Sequence, residues 1–416
     1  MTDLAAPVRV PASRYTSSAF AELEHERVWP RVWLVACTVD HVRNPGDFFE
    51  FRCGRYSVII VRGDDHQLRA FQNVCLHRGN QLCEGSGSGL AEIRCPYHRW
   101  AWDLRGSLRE VPSRKGFGVL DSNELSLVAA RVDTWGPLVF VNLNLQAEPL
   151  SDYLEGVVAD TAWADLDDFQ CSYTTVSRVD SNWKVVADGF SETYHVQGIH
   201  QEMLASMDDV NTEQHVWDRH SVSHQRYGVA SPRVRDHSDQ AVWDSFLVTQ
   251  GERMGPGFPL GSTAPTPADG ETIRDVIAQL IRDHQATRGV DMSRFDTDGV
   301  LRLSQYNLFP NTTVLVWGDM LNVLTSRPGS SPDDAELVMY LMYRRPDAPG
   351  TDSEVRPFDV VLPPDASVGT VIDQDLSMLK KFQKGLHQPG FTHLTLSGEE
   401  CRIINMHRVL SRYVAD

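Results

Sequence analysis

Two short stretches carry residue types and a spacing suited to redox chemistry. Cys75-Leu76-His77 is a C-x-H, and after seventeen intervening residues Cys95-Pro96-Tyr97-His98 is a C-x-x-H. Each half offers one thiolate and one imidazole, whereas a zinc finger takes its two cysteines from one knuckle and its two histidines from another. The split suits a [2Fe–2S] cluster with Cys75 and Cys95 on one iron and His77 and His98 on the other. Neutral imidazoles add less negative charge than thiolates, so such a cluster has the higher potential. Gly79 follows the first half and Arg99-Trp100-Ala101-Trp102 the second, and the backbone N–H groups of two small loops can face the sulfides. The glycine-rich run 84–89 has no P-loop lysine and no strand-to-helix frame. It reads as a flexible spacer between the ligand loops.

A second constellation is His195 and His200, preceded by Asp188 and Glu192. Five residues of helix turn about 500°, which leaves the two rings about 140° apart. They meet on one ion only if the helix ends or distorts between them, and Gly198 is the expected place. A carboxylate would complete a two-histidine, one-carboxylate face that leaves positions open on iron(II). Asp373 and Asp375, on a predicted helix over 371–386, are the candidates.

These groups need elements to hold them. Phe20, Leu23, Val28 and Trp29 recur at helical spacing within 15–36. From residue 47 the pattern becomes short alternating runs at 48–51, 57–61 and 67–71, which predicts a small all-β domain closing with a strand over 136–143. Glu148-Pro149 marks its end. The rest mixes strands (171–179, 314–325, 336–344) with helices (183–196, 271–287, 371–386, 399–414). Residues 205–270 read as a long irregular segment, a functional lid or a disordered stretch. The expected class is α+β in three parts: a helical segment 1–45, the β domain 46–147 and a larger domain 148–416.

The chain has 416 residues, 41% of them hydrophobic, enough for a sizeable core. A formal net charge of −17 disfavours a nucleic-acid partner, which needs a basic face. No run of eighteen apolar residues predicts a membrane helix, and Met1–Ala6 shows neither a basic start nor an apolar core of a signal peptide, so a cytoplasmic protein is expected. Seven cysteines in this length do not make a disulfide scaffold. Cys37, Cys53, Cys83, Cys171 and Cys401 are expected to be reduced.

Together the motifs resemble the catalytic α subunit of the Rieske non-haem iron oxygenases, the ring-hydroxylating oxygenases. The resemblance runs through nearly the whole chain: the cluster motif, Asn182-Trp183-Lys184, Tyr194-His195 with His200, Leu308-Phe309-Pro310-Asn311, and Gln374-Asp375 followed by Gln383-Lys384-Gly385-Leu386. It implies that Asp375, eight residues before Gln383, is the third iron ligand. It implies a helix-grip catalytic domain, an antiparallel sheet around a long C-terminal helix. It implies a homotrimer in which His98 of one subunit lies near His195 of the next, with Glu192 bridging them and Asp188 beside it. Two positions depart from the family pattern, which more often has Asp at 192 and Asn at 188. The implied chemistry is dioxygen-dependent hydroxylation, with electrons from NAD(P)H through a separate reductase, directly or by way of a ferredoxin; the chain itself has no dinucleotide fingerprint or plant-type ferredoxin cysteine run. Met203, Leu204, Phe309, Val314, Val316 and Trp317 are candidates for the pocket and favour an apolar, aromatic or polycyclic substrate. The alternatives are oxidative O- or N-demethylation, oxygenation of a quaternary ammonium compound, or, in another class, a Rieske electron carrier fused to a ligand-binding module. The carrier would not need His195, His200 and Asp375.

Overall fold

The computed structural model describes residues 7–346, 359–363 and 366–415. Met1–Ala6, on which the reading of the amino terminus rests, lie outside them. The alternating runs form the strands Phe48–Cys53, Tyr56–Arg62 and Leu68–Gln72. They share a seven-stranded sheet with Leu34–Thr38, Ser86–Gly87, Ala129–Trp135 and Leu138–Asn142. A smaller three-stranded sheet, Ile93–Arg94, Ala101–Trp102 and Leu108–Glu110, flanks the second ligand loop. Leu34–Thr38 falls inside the segment expected to be helical. All five of its residues are buried, so no alternation marks it as a strand. The helix there is Ser18–Arg27.

The glycine run is not a free spacer. Ser86–Gly87 pairs with Phe48 and Phe49, and a Cβ on Gly87 would lie 2.4 Å from the Phe48 ring, so any larger residue would have to push that ring aside. The Gly85 N–H donates to the buried Glu50 carboxylate at 2.9 Å. Asn73 accepts from the N–H groups of Leu82 and Cys83 at 3.0 Å each and donates to Cys83 O at 2.8 Å. The stretch joining the two ligand loops is thereby pinned to the sheet.

The larger domain is an eight-stranded sheet running, in order across it, Met207–Val216, Ser221–Tyr227, Arg302–Leu308, Thr312–Val316, Met320–Pro328, Ala335–Arg344, Phe169–Val179 and Val360–Val361. Only the last pair is parallel. Helices pack on it, as the helix-grip expectation requires. Trp183–Gly189 lies against Met320–Pro328 and Ala335–Arg344, Thr370–Leu386 against Phe169–Val179 and Trp183–Gly189, and Cys401–Ala415 against Met207–Val216 and Ser221–Tyr227. No described helix is long and apolar enough to cross a membrane.

Two expectations change. The strand over 314–325 is two strands separated by a tight turn that the Trp317 N–H closes on Met320 O at 2.9 Å. The region 205–270 holds a β-hairpin, Met207–Val216 with Ser221–Tyr227, and a helix, Asp239–Gln250. The first of those strands is an edge strand, polar and largely exposed beyond Asp209, with a register shift between Asp208 and Glu213. It therefore gives no period-two signal.

The amino-terminal helix is bolted to the site by a buried ion pair. Lys184 Nζ donates to Glu24 Oε1 at 2.6 Å with both side chains almost fully buried, and Trp183 Nε1 donates to Glu24 Oε2 at 3.2 Å. Removing one partner strands the other charge. Lys184→Met should therefore cost about 3–5 kcal/mol in chemical unfolding. The double variant Glu24→Gln, Lys184→Met keeps an acceptor for the indole and should recover most of that loss. A double variant no more stable than the single one would refute this account.

Candidate active site

The two ligand loops of the β domain are built alike. In each, the cysteine N–H donates to the carbonyl five residues on, Cys75 to Asn80 and Cys95 to Trp100, both at 2.8 Å. The residue four on donates back, Gly79 to Cys75 O at 2.9 Å and Arg99 to Cys95 O at 3.1 Å. Gly79 and Arg99 both have positive φ, 76° and 65°. That explains the glycine in the first loop; the second accepts the strain in an arginine. Cys75 and Cys95 are buried. Burial raises the Cys75 thiol pKa, against the pull of the His77 N–H on its sulfur, and the adjoining Cys95 thiol adds to the rise. The His77 and His98 rings lie 4.7 Å apart, and Trp100 stacks on His77 at 5.0 Å. His77 Nδ1 is buried without a hydrogen-bond partner. Two adjacent buried thiols and an orphaned imidazole nitrogen beside a second imidazole fit a [2Fe–2S] group.

In the larger domain the expected helix over 183–196 stops at Gly189, and a separate one-turn helix runs Val196–Ile199. His195 precedes that turn and His200 follows it, with φ −118° and ψ 46°. Convergence thus comes from the helix ending at Ile199, not from a distortion at Gly198. Asp375 Oδ1 lies 3.0 Å from His200 Nε2 and 3.7 Å from His195 Nε2. All three ligand atoms lie within 4.8 Å of one another. Such separations suit ligands placed about 2 Å from one ion.

The neighbours fix both imidazoles. Glu192 Oε1 lies 2.6 Å from His195 Nδ1, and its other oxygen accepts the His195 N–H at 2.9 Å. Gln374 Oε1 lies 2.6 Å from His200 Nδ1. With each Nδ1 carrying the proton, each Nε2 lone pair faces the third ligand. Burial would lower the His200 pKa, but the bond and charge of Asp375, then Gln374 and Glu202, hold it above its ordinary value.

Asp375 sits on the buried face of its helix with Leu379, Gln383 and Leu386. Gln383 Oε1 accepts the Asn182 N–H at 3.1 Å, and Asn182 caps the Trp183–Gly189 helix through Lys184 N. The Gln383 position is thus the anchor that registers Asp375 against the histidines. Asp373 instead accepts from Val368 N and Ser367 Oγ at the start of the helix.

Asp188 is tied elsewhere than to the histidine pair. Its Oδ2 accepts from Tyr15 OH at 2.5 Å, and that hydroxyl lies 2.6 Å from His407 Nε2. The pocket candidates divide. Met203, Leu204 and Trp317 share an apolar cluster with Val196, Met207, Tyr227, Trp243 and Phe246, and Val371, one turn before Asp375, packs against it. Phe309, Val314 and Val316 belong instead to the main core, where Phe309 stacks on Tyr413. Sequence reading gave no role to Gln374, Glu202 or Arg253. Gln374 adjoins Asp375, and Glu202 is a lone charge between His200 and the apolar pair Met203-Leu204; both facts were visible in the sequence.

Residues 32–128 match the family described as Rieske [2Fe-2S] domain, and residues 166–416 the family described as ring hydroxylating alpha subunit (catalytic domain). The chain is 32% identical over 225 residues, 54% of its length, to a carnitine monooxygenase oxygenase subunit from Escherichia coli K12; the match spans 59% of that relative. It is 34% identical over 194 residues, 45% of its length and 43% of the relative's, to a benzene 1,2-dioxygenase subunit alpha from Pseudomonas putida. The crystal structure of a quaternary ammonium Rieske monooxygenase with L-carnitine superposes with a TM-score of 0.68 at 19% identity, covering 97% of this chain and 95% of that one.

Proposed function

The chain belongs to the ring-hydroxylating oxygenase α-subunit family, and from that premise we propose that it is the terminal oxygenase of a multicomponent system acting on a small organic cation. Iron held by His195, His200 and Asp375 would supply oxygen activation, and a [2Fe–2S] group held by Cys75, His77, Cys95 and His98 would supply electrons one at a time. Glu192 and Gln374 hold the Nδ1 protons of the two histidines. Met203, Leu204 and Trp317 keep water from the substrate. We further propose a homotrimer in which Glu192 links His195 to His98 of the adjacent subunit, fed by a separate NAD(P)H-dependent reductase.

The observation that carries the cationic reading is Glu202. It follows His200 by two residues, and its Oε1 is out of reach of solvent without a hydrogen-bond partner. A carboxylate oxygen left so is costly, and a bound cation would supply its counter-charge. The apolar cluster that holds the next two residues, Met203 and Leu204, together with Tyr227, Trp243 and Trp317, suits a methylated ammonium, which has no N–H to satisfy and is attracted by aromatic faces. The relative named for carnitine supports this reading. The relative named for benzene supports the other one, hydroxylation of a neutral apolar ring, but such a substrate would leave Glu202 Oε1 without a partner.

The test pairs choline with its carbon isostere 3,3-dimethylbutan-1-ol. The wild-type protein should prefer the cation. Glu202→Gln should lose roughly ten- to a hundredfold in kcat/KM for the cation, the worth of one buried charge contact of about 1.5–3 kcal/mol, with iron content unchanged and the neutral isostere unaffected or improved. A wild-type protein that turns over benzene and does not bind choline would overturn the reading.

A further inference from the structure

We propose that Arg253 and Trp317 form a second recognition point in the same apolar cluster, a two-donor subsite for a carboxylate at the far end of the substrate. The inference deepens the cationic reading and rests on it only for what the other end of the molecule carries.

Arg253 is 5% exposed and Trp317 3%. A guanidinium has five N–H donors. Arg253 Nε donates to Asp319 Oδ2 at 3.2 Å, and one terminal nitrogen donates to Asp319 Oδ1 at 2.6 Å and Val300 O at 2.7 Å. The other terminal nitrogen, NH1, is buried and has no partner, and neither has the indole Nε1 of Trp317. The guanidinium carbon lies 5.4 Å over the Trp317 ring, so the two orphaned donors belong to one neighbourhood. Proteins leave few buried donors unsatisfied. A ligand acceptor placed between them would satisfy both.

The donors are held in advance. Trp317 and Asp319 flank Gly318 in the turn between two core strands, and a Cβ on Gly318 would lie 2.6 Å from Gly299 O. The turn is thus pressed against the Thr297–Leu301 helix, whose Val300 carbonyl holds Arg253. Trp317 belongs to the cluster that contains Val196, between the two histidines, and Met203 and Leu204 just beyond His200. A neutral oxygen would engage these donors weakly. A carboxylate offers two oxygens to two donors and bonds each more strongly.

The test is equilibrium binding under anaerobic conditions, read by calorimetry. The probes are three series of graded chain length: ω-trimethylammonio carboxylates, the matching ω-trimethylammonio alcohols, and alkanoates without the ammonium group. Wild-type protein should bind the carboxylate of one length at least tenfold more tightly than its alcohol. Trp317→Phe, which keeps the ring and removes the N–H, should erase most of that preference while the alcohols bind as before. Arg253→Lys, which keeps a charge for Asp319 and removes NH1, should do the same. Glu202→Gln should weaken both cationic series alike. If the cationic series bind with no preference for the carboxylate, the donors hold water only and the subsite is wrong, whether or not either variant folds. If only the alkanoates bind, and Trp317→Phe weakens them, the subsite stands and the cationic reading falls. If none of the three series binds wild-type protein, both fall.

Discussion

Asp375→Ala protein should purify with about two irons per chain in place of three, keep the visible spectrum of the cluster, and show no measurable turnover. Three protein ligands are the set that holds iron(II) with positions left open, and Asp375 Oδ1 lies 3.0 Å from His200 Nε2 and 3.7 Å from His195 Nε2. Its removal leaves two neutral imidazoles as the remaining ligands and no charged one. The cluster loops lie in the other domain and share no side chain with this site, so their spectrum is an internal control for folding. Asp373→Ala separates ligand from neighbour. Asp373 accepts from Val368 N at 2.8 Å and from Ser367 Oγ at 2.5 Å. That is the work of a helix start, worth about 0.5–2 kcal/mol of stability. Asp373→Ala should therefore melt earlier yet keep three irons and most of its activity. The reverse pattern, an active Asp375→Ala and a dead Asp373→Ala, would move the metal to a different carboxylate.

Local spacing made some of this legible in the sequence and long-range pairing hid the rest. C-x-H and C-x-x-H each lie within one tight loop, so the residue types and their spacing alone give the donor set. His195 and His200 are separated by one turn, and the requirement for a break was visible, though its position was not: the helix ends at Ile199 because His200 leaves helical backbone, and Gly198 is an ordinary helical residue. Asp375 could not be told from Asp373 by pattern alone; the choice came from the family's spacing to Gln383. The structure supplies the physical reason in Gln383 anchored to Asn182. Ser86–Gly87 looked flexible because glycine is permissive, yet here glycine serves close approach to Phe48. Arg253, Trp317 and Asp319 come together from a helix end and a strand turn some sixty residues apart, and no period in the sequence marks such a meeting.

Glu192→Ala should leave both metal centres filled and lower coupled turnover by more than a hundredfold. Of the two histidines proposed to hold the iron, His200 is 2% exposed at its side chain and His195 25%. We propose that an electron from another subunit enters through His195, the more exposed of the two, whose ring bears Glu192, itself 11% exposed. Both of its oxygens are used, one on the ring and one on the backbone N–H of the same residue, so ring and carboxylate move as one piece. Losing a group that orients a ligand imidazole commonly costs ten- to a hundredfold. The larger loss expected here adds the broken route. Glu192→Gln keeps an acceptor for Nδ1–H and should fall between wild type and Glu192→Ala. The direct readout is the rate at which a pre-reduced cluster is reoxidised in a single turnover, which a merely structural role would leave unchanged once iron is bound. Mixed trimers decide the direction of travel. A subunit without a working cluster (His98→Ala) is combined with one that lacks the mononuclear iron (His195→Ala). Each parent trimer is inactive. If Glu192 hands electrons across a subunit boundary, an intact cluster faces an intact iron in a fraction of the mixed trimers, and activity returns there. Verified mixed trimers with no activity would confine the transfer to a single chain.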